Sequence, residues 1–162
     1  MIAHYQGQIV NYSELGRSFG ASDKTIRNYL DILTETFMIR QLQPWHENIK
    51  KRQVKRPKIY FRDSGIFHSM ITVEDKRALL SNPKLGASWE GFAIEQVIKH
   101  FKIESEEAYF WAVHQQGEID LFFQKIGKRI EVEFKFTSYP EDTSSMEFAI
   151  DNLKLDLLIW IY

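Results

Sequence analysis

Residues 118–136 have the sequence EIDLFFQKIGKRIEVEFKF, in which apolar and charged side chains alternate on both sides of a short turn. Two alternating segments joined in this way predict a β-hairpin. A two-residue loop at 126–127 and a four-residue loop at 125–128 give the same register. In that register Asp120 lies directly opposite Glu133, with the two Cβ atoms about 5 Å apart.

Asp120 and Glu133 form an unusual pair, because like charges placed directly opposite each other destabilise a sheet. A divalent cation would compensate them, and carboxylate oxygens favour Mg²⁺ or Mn²⁺. Lys135 lies two residues beyond Glu133 on the same face, where it can orient or deprotonate a water molecule. The alternative interpretation is a solvent-exposed sheet face with ordinary ion pairs.

A third acidic residue, Glu90, lies on a helix predicted over residues 88–101. At about 100° per residue, Glu90 falls in the middle of the apolar stripe with Ile94 and Val97, whereas Glu95 falls on the solvent face. A carboxylate in a buried stripe needs a partner, because an unpaired buried charge is costly. The partner is either this acidic site or a core lysine, arginine or backbone amide.

The rear part of the chain is predicted to have the element order α-β-β-β-α-β. The helix at 88–101 is followed by a first strand, by the two strands of the hairpin, by a short helix and by a last strand. The predicted bounds are 108–113, 118–124 and 129–136 for the three strands, 144–153 for the helix and 155–162 for the last strand.

The first forty residues are typical of a helix-turn-helix. Ser13 is the predicted N-cap of the first helix, Gly20 ends it, and Ser22 caps the second helix. The second helix has one apolar face at helical spacing, formed by Ile26, Leu30, Leu33 and Phe37.

Two extended segments, 38–42 and 58–61, follow the helices, which predicts a winged helix with residues 43–57 as the wing. Residues 50–58 contain six Lys and Arg side chains, a density that favours contact with DNA phosphates while the second helix enters the major groove. The alternatives are a solvated hairpin and a helix-turn-helix that packs only against a partner domain. The residues predicted to bind double-stranded DNA are Lys24, Thr25, Arg27, Asn28, Lys50, Lys51, Arg52, Lys55 and Arg56.

The charge distribution also divides the chain. Residues 1–70, the front half, hold 11 Lys and Arg against 6 Asp and Glu, whereas the whole chain has a net charge of −1. The rear half is therefore acidic. We predict a winged-helix domain at 1–70, a linker at 71–86 and a second domain at 87–162.

The amino-acid composition excludes several classes of protein. Hydrophobic residues make up 44% of the chain and charged residues 27%, as in ordinary globular proteins, and there is no cysteine. Disulfides and thiolate metal sites are excluded. Without a run of about 18 apolar residues or a signal peptide, we predict a cytoplasmic protein with no membrane contact. The oligomeric state stays open.

Five segments form a distinctive set: NYSELGRSFGASDKTIRNYLDILTETFMIRQL (11–42), KRQVKRPKIYFRDSG (51–65), KLGASWEGFAIEQ (84–96), GEIDLFFQ (117–124) and RIEVEFK (129–135). Together they resemble an uncharacterised C-terminal domain of predicted AAA-type P-loop ATPases of archaea and bacteria. Glu90, Asp120 and the sequence Glu133-Phe134-Lys135 also resemble the PD-(D/E)XK nuclease-like superfamily. The resemblance implies an α/β fold, with an N-terminal winged helix-turn-helix followed by an αβββαβ mixed-sheet domain.

The resemblance also implies roles. Asp120 and Glu133 would be metal ligands for Mg²⁺ or Mn²⁺, Lys135 the base that faces water or phosphate, and Glu90 a further acidic contributor. The implied function is a DNA-binding, metal-dependent nuclease-like module, a DNA endonuclease or nickase. The alternative is a non-catalytic DNA- or protein-binding module that positions an ATPase. The chain has no Gly-x4-Gly-Lys-Ser/Thr motif, so the AAA-type ATPase partner would lie elsewhere, in cis or in trans.

Overall fold

The computed structural model describes residues 1–141 and 144–162, and over these residues the chain is a mixed α/β structure with one seven-stranded sheet and six α-helices. The strands are β1 (Gln8–Ile9), β2 (Ile39–Pro44), β3 (Lys58–Phe61), β4 (Tyr109–Val113), β5 (Gly117–Lys125), β6 (Lys128–Phe134) and β7 (Leu157–Ile161). The helices are α1 (Tyr12–Phe19), α2 (Asp23–Glu35), α3 (Ser64–Met70), α4 (Lys76–Leu80), α5 (Leu85–Phe101) and α6 (Ser144–Leu153).

The sheet runs through both halves of the molecule, in the order β1-β3-β2-β4-β5-β6-β7. The two halves meet where β2 pairs with β4 in parallel, with Gln43 beside Tyr109 and Pro44 beside Phe110. We call this junction, together with the contacts of α5 to β2 and β3, the seam. The predicted linker at 71–86 contains α4 and the start of α5, so the connection is partly helical.

The helix boundaries of the front half agree in part with those predicted from the sequence. Gly20 ends α1 in a left-handed conformation, and the Ser22 side chain caps α2, both as predicted. Ser13 is not the N-cap of α1. Asn11 is, because its side chain accepts the backbone N–H of Glu14, which satisfies one of the free donors of the first turn.

Phe37 does not belong to the buried face of α2, contrary to the prediction. The helix ends at Glu35, and Phe37 adopts a left-handed backbone with φ of 60°. This turns its side chain away from the core, where it is 71% exposed. Ile26 and Leu30 are buried as expected.

The hairpin of β5 and β6 has the predicted register, with Leu121 opposite Val132 and Phe122 opposite Glu131. Its two-residue turn consists of Ile126 and Gly127, which both have positive φ, 52° and 71°. Positive φ at both central residues is the geometry of a type I′ turn, which suits the twist of a hairpin.

Along its edge with β4, strand β5 departs from simple alternation of side chains. The pairing of β4 with β5 shifts between Tyr109 and Trp111, so that Phe110 lies opposite both Asp120 and Leu121. This is a β-bulge, a device that redirects side chains near functional sites.

The bulge changes the two faces of β5 from those that strict alternation would give. Alternation places Ile119 with Leu121 and Phe123, but Ile119 packs in the same cluster as Phe122. One extra residue reverses the side-chain alternation beyond it. Leu121 and Phe123 therefore pack with α5, whereas Ile119 and Phe122 pack with α6 on the opposite face.

The segment predicted as the wing, 43–57, lies against the edge of β4. The Val54 N–H donates to the Ala112 carbonyl at 3.0 Å, and the His114 N–H donates to the Arg52 carbonyl at 3.1 Å. Trp45 packs on the cluster beneath α6. The segment is therefore anchored to the rear half, and its basic residues lie on its outer side.

Glu95, predicted on the solvent face of α5, instead binds the front half. The Arg40 guanidinium donates two hydrogen bonds to its carboxylate, and Arg62 donates a third at 3.1 Å. The predicted angular position of Glu95 on α5 is correct, but β2 and β3 cover that face of the helix. Among the described residues, no helix combines the length and apolar composition needed to cross a membrane.

Candidate functional site

Lys58, at the start of β3, lies at the centre of the candidate site. Its Nζ is 3.4 Å from the Glu90 carboxylate and 3.9 Å from Asp120, and it also contacts the Glu118 carboxylate. The residue is only 3% exposed. Burial alone would lower the pKa of this ammonium, but the surrounding anionic groups raise it well above its ordinary value. The groups around Lys58 therefore favour its charged, ammonium form.

Glu90 is held by residues of β3. Its Oε1 accepts hydrogen bonds from both Lys58 and the Tyr60 hydroxyl. The lysine partner was one of the alternatives that the helical pattern left open. Burial, and then the charge of Asp120, raise the pKa of Glu90 above its usual value. Glu90 joins the site through Lys58, which contacts Asp120 on its other side.

Asp120 lies in the bulge of β5 and connects three parts of the site. One carboxylate oxygen accepts the Phe134 N–H at 3.1 Å, and the other is near Lys58. The paired register of β5 and β6 reaches Leu121 and Val132 and does not include the predicted pair of Asp120 and Glu133. Asp120 instead contacts β6 through its side chain, at the Phe134 N–H.

Glu133 and Lys135 form the open end of the site. The Lys135 Nζ is 3.1 Å from the Glu133 carboxylate, and its side chain is 42% exposed, whereas that of Glu133 is 5% exposed. Burial, and then Asp120, raise the pKa of Glu133 to about 8. The carboxylates of Asp120 and Glu133 raise the pKa of Lys135, despite the opposing effect of its partial burial. Lys135 is thus an ammonium at neutral pH.

Glu131 is a site residue that the sequence analysis did not select. It is 0% exposed, and among the described residues neither of its carboxylate oxygens has a hydrogen-bond partner. Burial, and then Asp120, raise its pKa to about 7. Since Asp120 and Glu133 are also buried, the alternative of a solvent-exposed sheet face is wrong for these two carboxylates, whereas Lys135 is partly exposed and forms an ion pair with Glu133. Their alternation with apolar neighbours could not reveal this, because an exposed polar face has the same pattern.

Carboxylates outnumber cations in this site. Its lysines are Lys58 and Lys135, and its carboxylates are those of Glu90, Glu118, Asp120, Glu131 and Glu133. We call this set the acidic site. An excess of buried negative charge favours uptake of protons or of a cation, and the raised carboxyl pKa values are the first of these responses.

The grouping of the acidic side chains limits the kind of metal ion that they could hold. Within residues 1–141 and 144–162, no three His, Cys, Asp or Glu side chains are grouped so that they could hold a metal ion. Mg²⁺ commonly binds one or two carboxylates and completes its shell with water and substrate phosphates. Asp120 raises the pKa of Glu133, so these two carboxylates interact, and they are the residues that could supply such a pair.

The predicted DNA-binding residues of α2 lie partly on the surface. Lys24, Arg27 and Asn28 are exposed, but Thr25 is half-buried and its hydroxyl is hydrogen-bonded to Ser22. The Arg27 guanidinium stacks on an aromatic ring of α1, 3.8 Å from its centroid. The same helix also contains three acidic residues, Asp23, Asp31 and Glu35, which weaken its attraction for phosphate.

The five basic residues predicted on the wing, Lys50, Lys51, Arg52, Lys55 and Arg56, are all exposed. Arg52, Lys55 and Arg56 line a cleft of about 700 Å³, together with His4 and His114. A second cleft, of about 380 Å³, brings Arg27 together with Lys55 and Arg56. Lys24, Thr25 and Asn28 line neither of these two clefts.

The large basic cleft leads toward the acidic site. A neighbouring groove of about 410 Å³ is lined by His114 and Val54, which also line the basic cleft. This groove extends to Glu118, whose carboxylate contacts Lys58. The surface that carries Arg52, Lys55 and Arg56 therefore adjoins the groove at Glu118.

Two family models match different parts of the chain. Residues 1–77 are similar to the family described as "Domain of unknown function (DUF8612)", and residues 85–162 to the family described as "Domain of unknown function (DUF4143)". The chain is also 43% identical, over all 162 of its residues, to an uncharacterized protein of Mycobacterium bovis and to one of Mycobacterium tuberculosis. It spans 36% of the length of these curated relatives. No solved structure matches the chain.

Proposed function

We propose that this protein is a DNA-binding, metal-dependent nuclease-like module, a Mg²⁺- or Mn²⁺-dependent DNA endonuclease or nickase. In this proposal the front half is a winged helix and the rear half a PD-(D/E)XK nuclease-like domain. The main supporting observation is the buried pair Asp120 and Glu133 beside a solvent-facing Lys135. Phosphodiester cleavage needs negative charge neutralised at phosphorus and an activated water, and these groups suit both needs.

The proposed roles follow from the environment of each residue. A bound Mg²⁺ or Mn²⁺ would supply Lewis acidity and lower the pKa of a water molecule. Asp120 and Glu133 would bind it. Lys135, whose raised pKa keeps it protonated, would bind a phosphate oxygen or orient the water as a hydrogen-bond donor. This favours the phosphate-facing role of Lys135 over a role as general base.

The basic cleft would bind the DNA. Arg52, Lys55 and Arg56 can neutralise successive phosphates, and the adjoining groove at Glu118 would direct the backbone toward the acidic site. We therefore assign more of the DNA contact to these residues than to α2. Arg27, which shares a cleft with Lys55 and Arg56, is the α2 residue best placed to assist.

A AAA-type ATPase is the proposed partner, in cis or in trans, in the cytoplasm. DUF4143 domains are commonly found with AAA ATPases. The relatives are much longer than this chain, so they have room for a further domain. ATP-driven movement along DNA would then bring substrate to the acidic site.

The test of cleavage uses supercoiled plasmid with Mn²⁺. We expect slow, metal-dependent nicking that Asp120→Asn and Lys135→Met abolish, while circular dichroism shows that both variants fold. Glu107→Gln, at an exposed position outside the acidic site, is the control and should nick as wild type does. Nicking that persists in Asp120→Asn would refute the proposed site.

The test of DNA binding measures affinity for duplex DNA as a function of salt. The logarithm of the affinity should fall with the logarithm of salt concentration, with a slope of about −0.9 per phosphate neutralised. Replacing Arg52, Lys55 and Arg56 with Ala should reduce that slope by about 2–3. The control is replacement of Lys76 and Arg77 on α4, which are also exposed. An equal loss in both variants would indicate nonspecific attraction alone.

The second candidate is a non-catalytic module that positions an ATPase on DNA or on a protein. It is favoured by an apolar groove of about 370 Å³ along α5, lined by Trp89, Phe92 and Phe101 among others. Phe92 is 45% exposed. Exposed aromatic residues beside a groove are typical of protein contact surfaces. If the protein binds DNA but shows neither Mn²⁺ binding nor nicking, this function is the correct one.

A further inference from the structure

The two edges of the sheet differ in how well they are protected against pairing with another strand. The edge at β1 has only two residues, Gln8 and Ile9. The edge at β7 has five residues, Leu157–Ile161, and all five are apolar. Natural sheets protect an exposed edge with a short strand, a lysine, a proline or a bulge. Strand β7 is longer than β1, contains no lysine or proline, and pairs with β6 in a regular register.

The backbone of β7 offers hydrogen bonds on the side away from β6. The Ile161 carbonyl accepts the Lys135 N–H at 3.0 Å, so the polar backbone groups of Ile161 point toward β6. Because these groups alternate in direction along a strand, those of Leu158 and Trp160 point outward. In the part of the chain that the structure describes, no strand pairs with that side of β7. The outward N–H and C=O groups are therefore open to an extended segment.

An aromatic surface lies beside the same edge. The apolar groove of about 370 Å³ along α5 is also lined by Ile161 of β7. Phe92 and Phe136 are 45% and 53% exposed, and the ring of each lies 6.1 Å from that of Trp89. The surface next to β7 is therefore apolar as well as open for hydrogen bonding.

We infer that β7 pairs in antiparallel orientation with β7 of a second copy of this chain, which joins two seven-stranded sheets into one. With the two-fold axis at Ile159, Leu158 of each copy lies opposite Trp160 of the other, and their outward N–H and C=O groups bond to each other. A strand without charged residues can pair with itself, because no like charges are brought together. A second copy thus supplies a strand of the length, apolar character and hydrogen-bonding pattern that this edge requires.

The same symmetry brings the two aromatic surfaces to one side of the joined sheet. A two-fold axis perpendicular to the sheet keeps α5 of both copies on the same face, on either side of the paired strands. Trp89, Phe92 and Phe136 of one copy then face those of the other. The centres of homodimer interfaces are rich in aromatic residues and poor in charge, as this surface is. The inference requires neither a metal ion nor DNA, so it stands apart from the proposed cleavage.

The first test measures the mass in solution by size-exclusion chromatography with light scattering. We expect wild type at twice the mass of one chain and Leu157→Lys as a monomer. Leu157 is 45% exposed, so a lysine there is solvated in a single chain but would lose water against Ile161 of the second copy. Leu80→Lys on α4, at a position that is 51% exposed, is the matched control and should remain a dimer. A monomeric wild type, or a dimeric Leu157→Lys, would overturn the inference.

The second test isolates the backbone contact with Leu158→Pro. Proline removes an outward N–H that β6 does not use, so the pairing of β7 within one chain should persist. We expect a monomer whose circular dichroism matches that of wild type. A folded Leu158→Pro that remains a dimer would mean that the copies do not meet at this edge. Leu157→Lys leaves the backbone unchanged and decides the question if Leu158→Pro does not fold.

The third test uses a disulfide to examine the register, since the chain has no cysteine of its own. Residue 159 lies opposite its own copy in the inferred pair, with Cβ atoms about 4.5–5.5 Å apart. Ile159→Cys should therefore form a disulfide-linked dimer under mild oxidation. Leu157→Cys lies opposite Ile161 of the second copy and should stay unlinked, although it is the more exposed position. Linkage at residue 157 without linkage at residue 159 would overturn the inferred pairing.

Discussion

Helix α5 places two glutamates against the front half, and the two differ in the charge that they meet. Glu95 meets two arginines, Arg40 and Arg62, so cations outnumber carboxylates there. Glu90 meets one lysine that it shares with other carboxylates, so anions outnumber cations. The helix, the residue type and the seam are the same in both cases.

The difference separates an ion pair in which the carboxylate is satisfied from one in which negative charge is in excess. The carboxylate of Glu95 is satisfied within the protein, and nothing about it attracts a further ligand. The carboxylates near Glu90 remain short of positive charge after folding, at a cost that selection for stability alone would remove. The ratio of buried charges therefore distinguishes the two sides of the seam, and the proposed function uses the side with excess negative charge.

The largest expected effect on stability comes from breaking the ion pair between Arg40 and Glu95. Arg40 is 5% exposed, and Arg40→Met leaves Glu95 with only the more exposed Arg62. We expect a loss of about 3 kcal/mol in the free energy of unfolding, at the lower end of the range for a broken buried pair. Urea unfolding measures it, with Arg62→Met as control at below about 1 kcal/mol. Equal losses would mean that burial does not distinguish the two arginines.

The next effect concerns how stability depends on pH at Glu131, on the side of the seam where anions outnumber cations. Glu131 has a pKa of about 7 in the folded protein against 4.5 as its ordinary value. The folded state therefore holds more protons than the unfolded state between these values, so stability is highest below pH 4.5 for this group and falls as pH rises through 7. Glu131→Gln, which mimics the protonated acid, should gain about 2–3 kcal/mol over wild type at pH 8 in chelator.

The comparison at pH 5 is the internal control for Glu131→Gln, since the folded wild type is then protonated and the difference should fall below about 1 kcal/mol. Glu107→Gln, an exposed substitution, should show no such trend. A constant difference between Glu131→Gln and wild type from pH 5 to pH 8 would contradict the raised pKa.

A smaller effect tests how closely α5 approaches β3 between its two glutamates. A Cβ at Gly91 would collide with the Gln6 amide and lie 3.2 Å from the Tyr60 ring. Gln6 is 2% exposed and links the Phe61 N–H to the Ala87 carbonyl. Gly91→Ala should therefore destabilise by about 1–2 kcal/mol despite the helix preference for alanine. Thermal unfolding should show no loss in Gly86→Ala, where nothing lies within 4 Å.

The smallest effect separates charge from hydrogen bonding at Asp120. Asp120→Asn keeps an acceptor for the Phe134 N–H and removes one negative charge, so it should stabilise the metal-free protein by about 0.2–1 kcal/mol. Asp120→Ala loses that acceptor, and also the contact with Lys58, and should melt lower than Asp120→Asn. Scanning calorimetry in chelator can rank the two. An equal Tm for both would mean that the Phe134 contact is unimportant.

The hairpin and its turn could be predicted from sequence because all the information is local. Alternation defines the faces of β5 and β6, and a short turn with glycine fixes which residues oppose each other. The bounds of α6, Ser144–Leu153, were also predicted correctly. These elements depend on neighbours within about ten residues.

The seam could not be predicted, because β2 and β4 are far apart in the chain and a parallel pair leaves no local pattern. For the same reason Lys58 was grouped with the exposed cations that precede it. One sequence signal did exist. Lys58 directly precedes the apolar residues Ile59, Tyr60 and Phe61, so a buried strand begins at a lysine. The bulge at Asp120 was hidden too, since it depends on how β4 pairs.

The shared sheet has a consequence for how the protein is made. The front half leaves the ribosome first, and the outer edge of β2 then has no partner until β4 has been synthesised. An open strand edge of this kind can pair with another chain. The nascent protein is therefore most prone to aggregate during the interval in which residues 45–108 are being translated, and slow translation there should lower the yield of folded protein.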